Sequence, residues 1–147
     1  MLRVLKLDPR AHMPIVANPG EDLGFDIYAL EDTLLPPHTL VKVRTGIAVH
    51  FEKPEAPHEK FGLLVRDRSS MASKGIMASG GVIDAGYRGE LLILLTSYAS
   101  ENSFAIKAGD KIAQLIPLPV LTGSGVVEAD TLPQSSRGQG GFGSTGS

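Results

Sequence analysis

The chain has no cysteine among its 147 residues. A disulfide framework, a thiolate metal site and a cysteine nucleophile are therefore all excluded, and the composition is compatible with a reducing compartment. Long apolar runs are also missing. The longest, Leu91–Leu95, is far too short to cross a bilayer, and the opening Met1–Asp8 alternates apolar and charged residues instead of forming a leader-like apolar core. Strong positive charge is absent as well: the formal net charge is -2. A general nucleic-acid binder carries a basic face, so that class is disfavoured, and any anionic ligand must be met by a few placed basic groups. The expectation is a soluble, cytoplasmic protein with no membrane and no nucleic-acid partner.

What is present is turn chemistry. Seventeen glycines and ten prolines are spread between short alternating segments, the pattern of an all-β protein. Phe25, Ile27 and Ala29 alternate with Asp26 and Tyr28 on a first clear strand. Asp26 is either a solvated strand residue or a group that can hold a cation. Leu34–Phe51 reads as two strands broken at Pro36-Pro37, and 52–60 as a charged, proline-bearing surface loop. Phe61–Val65 runs as a strand into Arg68-Ser69-Ser70 at the start of a short helix that stops at Gly75. There Ser69 or Ser70 is an ordinary helix cap, a phosphate cradle assisted by Arg68, or both. The four histidines, 12, 38, 50 and 58, lack metal-ligand spacing and read as structural or surface residues.

Gly80–Leu91 is the segment least suited to a packed core strand. Val82 and Ile83 hold a strand, while Gly80, Gly81, Gly86 and Gly89 allow a hairpin in which backbone approaches a ligand closely, with Asp84 and Tyr87 at its turn. Either this is an ordinary hairpin or it is one wall of a pocket. The apolar run from Glu90 to Tyr98 predicts a strand covered on both faces, which in so small a chain suggests subunit contact. Gln114 is the polar member of the apolar strand 109–120 and needs partners for its amide, from backbone or from ligand. Residues 1–134 are expected to form one β domain. The glycine-rich remainder, 135–147, has the composition of a flexible linker, yet a lone Arg137 and a lone Phe142 among glycines also suit an arm that folds over a ligand.

Five of these stretches, Leu23–Ala29, Arg68–Gly75, Gly80–Leu91, Gly109–Leu115 and Arg137–Gly146, occur in the order found in one family. The chain resembles the homotrimeric deoxyuridine triphosphate nucleotidohydrolases, or dUTPases. Asp67 departs from that pattern, standing where the family usually has proline, and the 52–60 loop is long. The resemblance implies a jelly-roll-like subunit, a homotrimer with shared sites, and Mg²⁺-assisted hydrolysis of dUTP to dUMP and pyrophosphate, which clears dUTP and supplies dUMP for thymidylate synthesis. It also implies roles. Asp84 matches the carboxylate that activates the attacking water at the α-phosphorus. Tyr87 matches the ring under the deoxyribose, and the backbone of Gly80, Gly81, Val82 and Ile83 the segment that reads uracil. Arg68, Ser69, Ser70 and Gln114 match phosphate-contacting positions, and Asp26 the acid that orients the metal's water shell. Arg137, Phe142 and Gly143 match the arm. Deoxycytidine triphosphate deaminases are the nearest rival, but the position of their catalytic glutamate aligns with Leu94, which cannot transfer a proton. A non-catalytic nucleotide-binding jelly-roll module is the other alternative, and it would not be expected to retain Asp26, Asp84, Arg137 and Phe142 together.

Overall fold

The computed structural model describes residues 1–99, 101–121 and 125–136. Its regular structure is antiparallel β with one short helix, in line with the turn-rich composition. Strand β1 (Leu2–Lys6) pairs with β5 (Ile47–Phe51), and β3 (Thr33–Leu35) pairs with β10 (Phe104–Ile106). A three-stranded sheet runs β4 (Leu40–Arg44), β9 (Leu92–Ser97), β7 (Ile76–Ser79). A four-stranded sheet runs β2 (Phe25–Tyr28), β11 (Lys111–Pro119), β6 (Phe61–Arg66), β8 (Val82–Ile83). The inward faces of these sheets share one core, with Ile27, Val65, Ile93, Leu95, Ile106 and Leu115 among its buried members. This is a jelly-roll-like, sheet-on-sheet architecture in which alternate residues of each strand meet the opposite layer.

The prolines of β11 are placed where they cost no ladder bond. Pairing with β2 ends at Leu115↔Phe25, while pairing with β6 continues to Pro119↔Phe61. Pro117 and Pro119 therefore lie on a stretch with no β2 partner to receive an N–H.

Two expectations need correction. The region 34–51 contains three strands rather than two, because Pro36 and Pro37 separate β3 from β4 and the Thr45-Gly46 turn separates β4 from β5. Strand β9 is closed on one face among the described residues: Ile93, Leu95 and Ser97 are buried, while the alternate residues Leu92, Leu94 and Thr96 stay partly open. Gly80–Leu91 is not a closed hairpin. Its first side, β8, pairs with β6, whereas its second side leads into β9 of another sheet. The segment is thus a crossover between sheets, pinned at its far end where Leu91 N–H donates to the Ile47 carbonyl (2.8 Å) and Thr45 Oγ1 donates to the Leu91 carbonyl (2.6 Å).

Candidate active site

Strand β6 ends at Arg66, and helix α1 (Ser69–Ala72) begins three residues later. Arg68 occupies the N-cap with extended backbone (φ -85°, ψ 142°), and its carbonyl accepts from Met71 and Ala72 N–H. Neither serine is the cap. Ser69 and Ser70 are instead the first two helical residues, whose N–H groups have no intrahelical acceptor and whose side chains are exposed. The guanidinium of Arg68 reaches across to β2 as well as to Ser70.

That guanidinium donates from Nε to Asp26 Oδ1 at 2.9 Å, while Lys111 Nζ lies 2.7 Å from Asp26 Oδ2. Asp26 is therefore not a solvated strand residue: its side chain is 14% exposed and both carboxylate oxygens meet cations. The same carboxylate holds the Lys111 ammonium above its ordinary pKa, chiefly through the hydrogen bond between them. Arg68 Nη1 also reaches Ser70 Oγ at 3.4 Å. Gln114, opposite Asp26 in the β2–β11 ladder, donates its amide to the Asp67 carbonyl at 2.8 Å, so the bland, backbone-satisfying partner does exist. These side chains, with Asp22, Leu23 and Gly24, line a polar cleft of about 400 Å³.

Asp67, the departure from the family pattern, has its own task. Its Oδ1 accepts the Ala78 N–H, tying the segment before α1 to β7.

Asp84 and its neighbours lie elsewhere. Val82, Ile83, Asp84 and Ala85 line a separate groove of about 240 Å³ together with residues of β6 and the end of β11. Ile83 pairs with Leu63 and Gln114 pairs with Arg66, so the groove and the cleft are set off along β6 by three residues, about 10 Å at the usual rise of a strand. Asp84 continues away from Arg66, and Arg68 continues away from Leu63, which widens the gap. The turn itself is well built. Tyr87 N–H donates to the Asp84 carbonyl (3.0 Å), and Tyr87 Oη donates to the Glu90 carbonyl (2.9 Å). Gly89 permits this, since a Cβ there would lie 2.5 Å from Tyr87 Oη. The Asp84 carboxylate is exposed and meets no partner among the described residues.

Gly80 and Gly81 serve the scaffold more than an open pocket. The Gly81 carbonyl accepts Val65 N–H at 2.7 Å and is not free for a ligand, and a Cβ on Gly81 would lie 2.5 Å from the Val65 carbonyl oxygen. Leu94, half-buried on β9, sits beneath Gly80, with Cδ1 2.9 Å from where a Cβ would be. No group of three or more metal-ligating side chains occurs among the described residues. His12 stacks on Tyr28 with ring centres 5.3 Å apart, a packing role for this histidine. Among those residues, too, no helix is long and apolar enough to cross a membrane. Arg137, Phe142 and Gly143 lie outside the described residues.

Lys111 and Asp22 were not singled out from the sequence. For Lys111 the available signal was a basic residue on the strand that also carries Gln114, but plain alternation assigns the two to opposite faces.

An antiparallel jelly-roll-like fold, carrying a cleft in which Arg, Lys, Asp, Gln and paired serines converge, defines the class: a β protein with a built polar site for a charged ligand. The dUTPase family model matches residues 10–146. The chain is 39% identical over 148 aligned residues to a deoxyuridine 5'-triphosphate nucleotidohydrolase of Picosynechococcus, covering 99% of this chain and 98% of that protein. The dUTPase of Staphylococcus bacteriophage 80alpha, solved with dUpNHpp, superposes with a TM-score of 0.81 at 27% identity, covering 100% of this chain and 99% of that one. A mutant dUTPase of S. aureus phage phi11, solved with a coordinated structural Mg(II) ion, has a TM-score of 0.77 at 26% identity, over 91% and 99% of the two chains. The chain belongs to the dUTPase family.

Proposed function

We propose that this protein hydrolyses dUTP to dUMP and pyrophosphate at a site assembled from more than one copy of the chain. The observation that carries the reading is the Arg68–Asp26–Lys111 cluster beside Ser70 and Gln114, within a family whose members are named for this reaction. Arg68, the free N–H groups and hydroxyls of Ser69 and Ser70, and Gln114 bind the triphosphate. Ile83, Val82 and the neighbouring backbone of Gly80 and Gly81 flank the base, and the Tyr87 ring underlies the sugar. Asp84 takes a proton from the water that attacks the α-phosphorus, the bond to the β-phosphate oxygen breaks, and pyrophosphate leaves. Such a displacement relies on positioning and charge neutralisation, so no covalent nucleophile is needed.

Mg²⁺ fits this site in one way only. A single carboxylate with both oxygens already paired does not make a protein cage, but Mg²⁺ keeps most of its waters and binds substrate phosphates, so Asp26 would meet it through water. When bound, the ion supplies neutralisation of phosphate charge. Arg137, Phe142 and Gly143 form the arm that covers the triphosphate and base, attached to a β domain of residues 1–134. A cytoplasmic setting goes with a soluble nucleotide substrate.

The separation of the two half-sites along β6 supports sharing between copies: Asp84 cannot serve the phosphate cleft of its own chain without leaving β6. The open, apolar outer face of β9 offers a contact surface for a homotrimer. Two assays test the proposal. Pyrophosphate release from dUTP, dCTP, dTTP and UTP with Mg²⁺ is expected for dUTP alone, with dUMP as product; deamination of dCTP or no turnover at all would sink the reading. Asp84→Asn and Arg68→Ala subunits, each inactive alone, are then unfolded together and refolded as a mixture. Random assembly leaves roughly a quarter of shared sites intact, whereas unshared sites would regain nothing.

A further inference from the structure

The β2–β11 ladder contains an irregularity that matters for the cleft. Leu115 faces Phe25, Gln114 faces Asp26 and Ala113 faces Ile27, but Lys111, not Ile112, then faces Tyr28. Without the shift, Lys111 would share the face of Ala113 and Leu115, both fully buried in the core. The extra residue leaves Ile112 buried beside Ala113 and turns Lys111 to the side of Asp26, Tyr28 and Gln114. Bulges beside functional sites commonly re-aim one side chain in this way. Here the result is a 2.7 Å ion pair with Asp26 Oδ2, with the ammonium 6.0 Å from the Tyr28 ring centre.

The consequence falls on Arg68. An arginine beside a free carboxylate tends to close on it as a fork, with two parallel N–H···O bonds. Arg68 does not do so here: Nε alone engages Asp26, at Oδ1, while Nη1 points to Ser70 Oγ (3.4 Å) and the Lys111 carbonyl (3.5 Å). Lys111 occupies the oxygen the second arm of the fork would take. We propose that Lys111 is a positioning residue: by holding Asp26 Oδ2 it keeps the Arg68–Asp26 pair one-point and leaves the terminal nitrogens of Arg68 available to Ser70 and to a polyphosphate. The proposal rests on the reading of this cleft as the triphosphate site. The side chain acts through two others and needs no contact with substrate.

The test compares Lys111→Met, which keeps most of the unbranched chain without a donor, with Lys111→Arg, which keeps donors at Oδ2. In ligand-free crystals of Lys111→Met, Arg68 is expected to rotate into a two-point contact with Asp26. The Kd for dUpNHpp and the KM for dUTP are expected to rise about tenfold, with a much smaller change in kcat and an unchanged melting temperature, and Lys111→Arg should restore most of the affinity. An unmoved Arg68 with unchanged Kd overturns the proposal. So does a weakened Kd with Arg68 unmoved, which would make Lys111 a direct phosphate ligand, and so does loss of the fold in Lys111→Met, which would make it a structural residue. The ligand-free position of Arg68 is read without any nucleotide, so failure of the clamp is distinguishable from failure of wild-type protein to turn over dUTP.

Discussion

Replacing Gly81 with alanine is a test of how tightly the segment bearing Asp84 is held. A Cβ at this position lies 2.5 Å from the Val65 carbonyl oxygen, and the residue's own carbonyl accepts Val65 N–H at 2.7 Å. The obstacle is backbone of a strand paired on both sides, so β8 and not β6 must give way. Bringing the contact even to 3.0 Å needs a displacement of 3.0 - 2.5 = 0.5 Å. Overpacking of this kind costs about 1–3 kcal/mol, and a weakened Val65–Gly81 hydrogen bond adds about 1 kcal/mol. A total of about 2–4 kcal/mol lowers Tm by about 4–16 °C in a chain of this size. Displacement at β8 carries into Asp84 two residues beyond Val82, and a misplacement approaching 1 Å lowers kcat on the order of tenfold to a hundredfold. The assay is thermal unfolding followed by circular dichroism at fixed protein concentration, paired with kcat for dUTP. Gly86→Ala is the control, since nothing lies within 4 Å of its Cβ, and it should leave Tm unchanged. If Gly81→Ala melted within about a degree of that control and kept its kcat, the close approach to β6 would not constrain the segment.

Further outcomes follow from the same geometry. Asp84→Asn should bind dUpNHpp normally, because its carboxylate supports no described contact, yet lose kcat by on the order of a hundredfold or more; near-normal kcat would refute its role as the base. Deleting 136–147 should leave the melting curve of the β domain intact and largely abolish turnover, and normal dUTP hydrolysis by the truncated chain would dismiss the arm. Asp67→Ala should leave the half-buried Ala78 N–H without its acceptor and cost about 1–3 kcal/mol in chemical denaturation, while a stability equal to wild type would mean the Asp67–Ala78 bond carries no net weight.

What could be read from the residues, and what could not, divides along physical lines. Apolar segments between turn residues located the strands around Phe25–Tyr28, Phe61–Arg66 and Lys111–Pro119, the first by its period-two alternation, because burial on one face is a local constraint. Arg68, Ser70, Gln114 and Asp26 were legible as polar groups set into such patterns, and the ladder of β2, β11 and β6 brings them to one cleft. Asp84 was equally visible in its glycine-fenced segment, but its distance from that cleft was not, because the sheet to which β8 belongs depends on pairing with β6, a long-range choice without a local mark. Lys111 shows the same limit at the scale of one residue. No glycine or proline flags the bulge at Lys111–Ala113, so alternation consigned the lysine to the core face, and only the register of β2 against β11 reverses that. The serine cap failed for a related reason: Arg68 has the extended backbone of a cap residue while its side chain answers to Asp26 on another strand. In each case what was missed is the placement of a polar residue by strand pairing or an ion pair far away in sequence, and for Arg68 and Lys111 that placement builds the polar cleft.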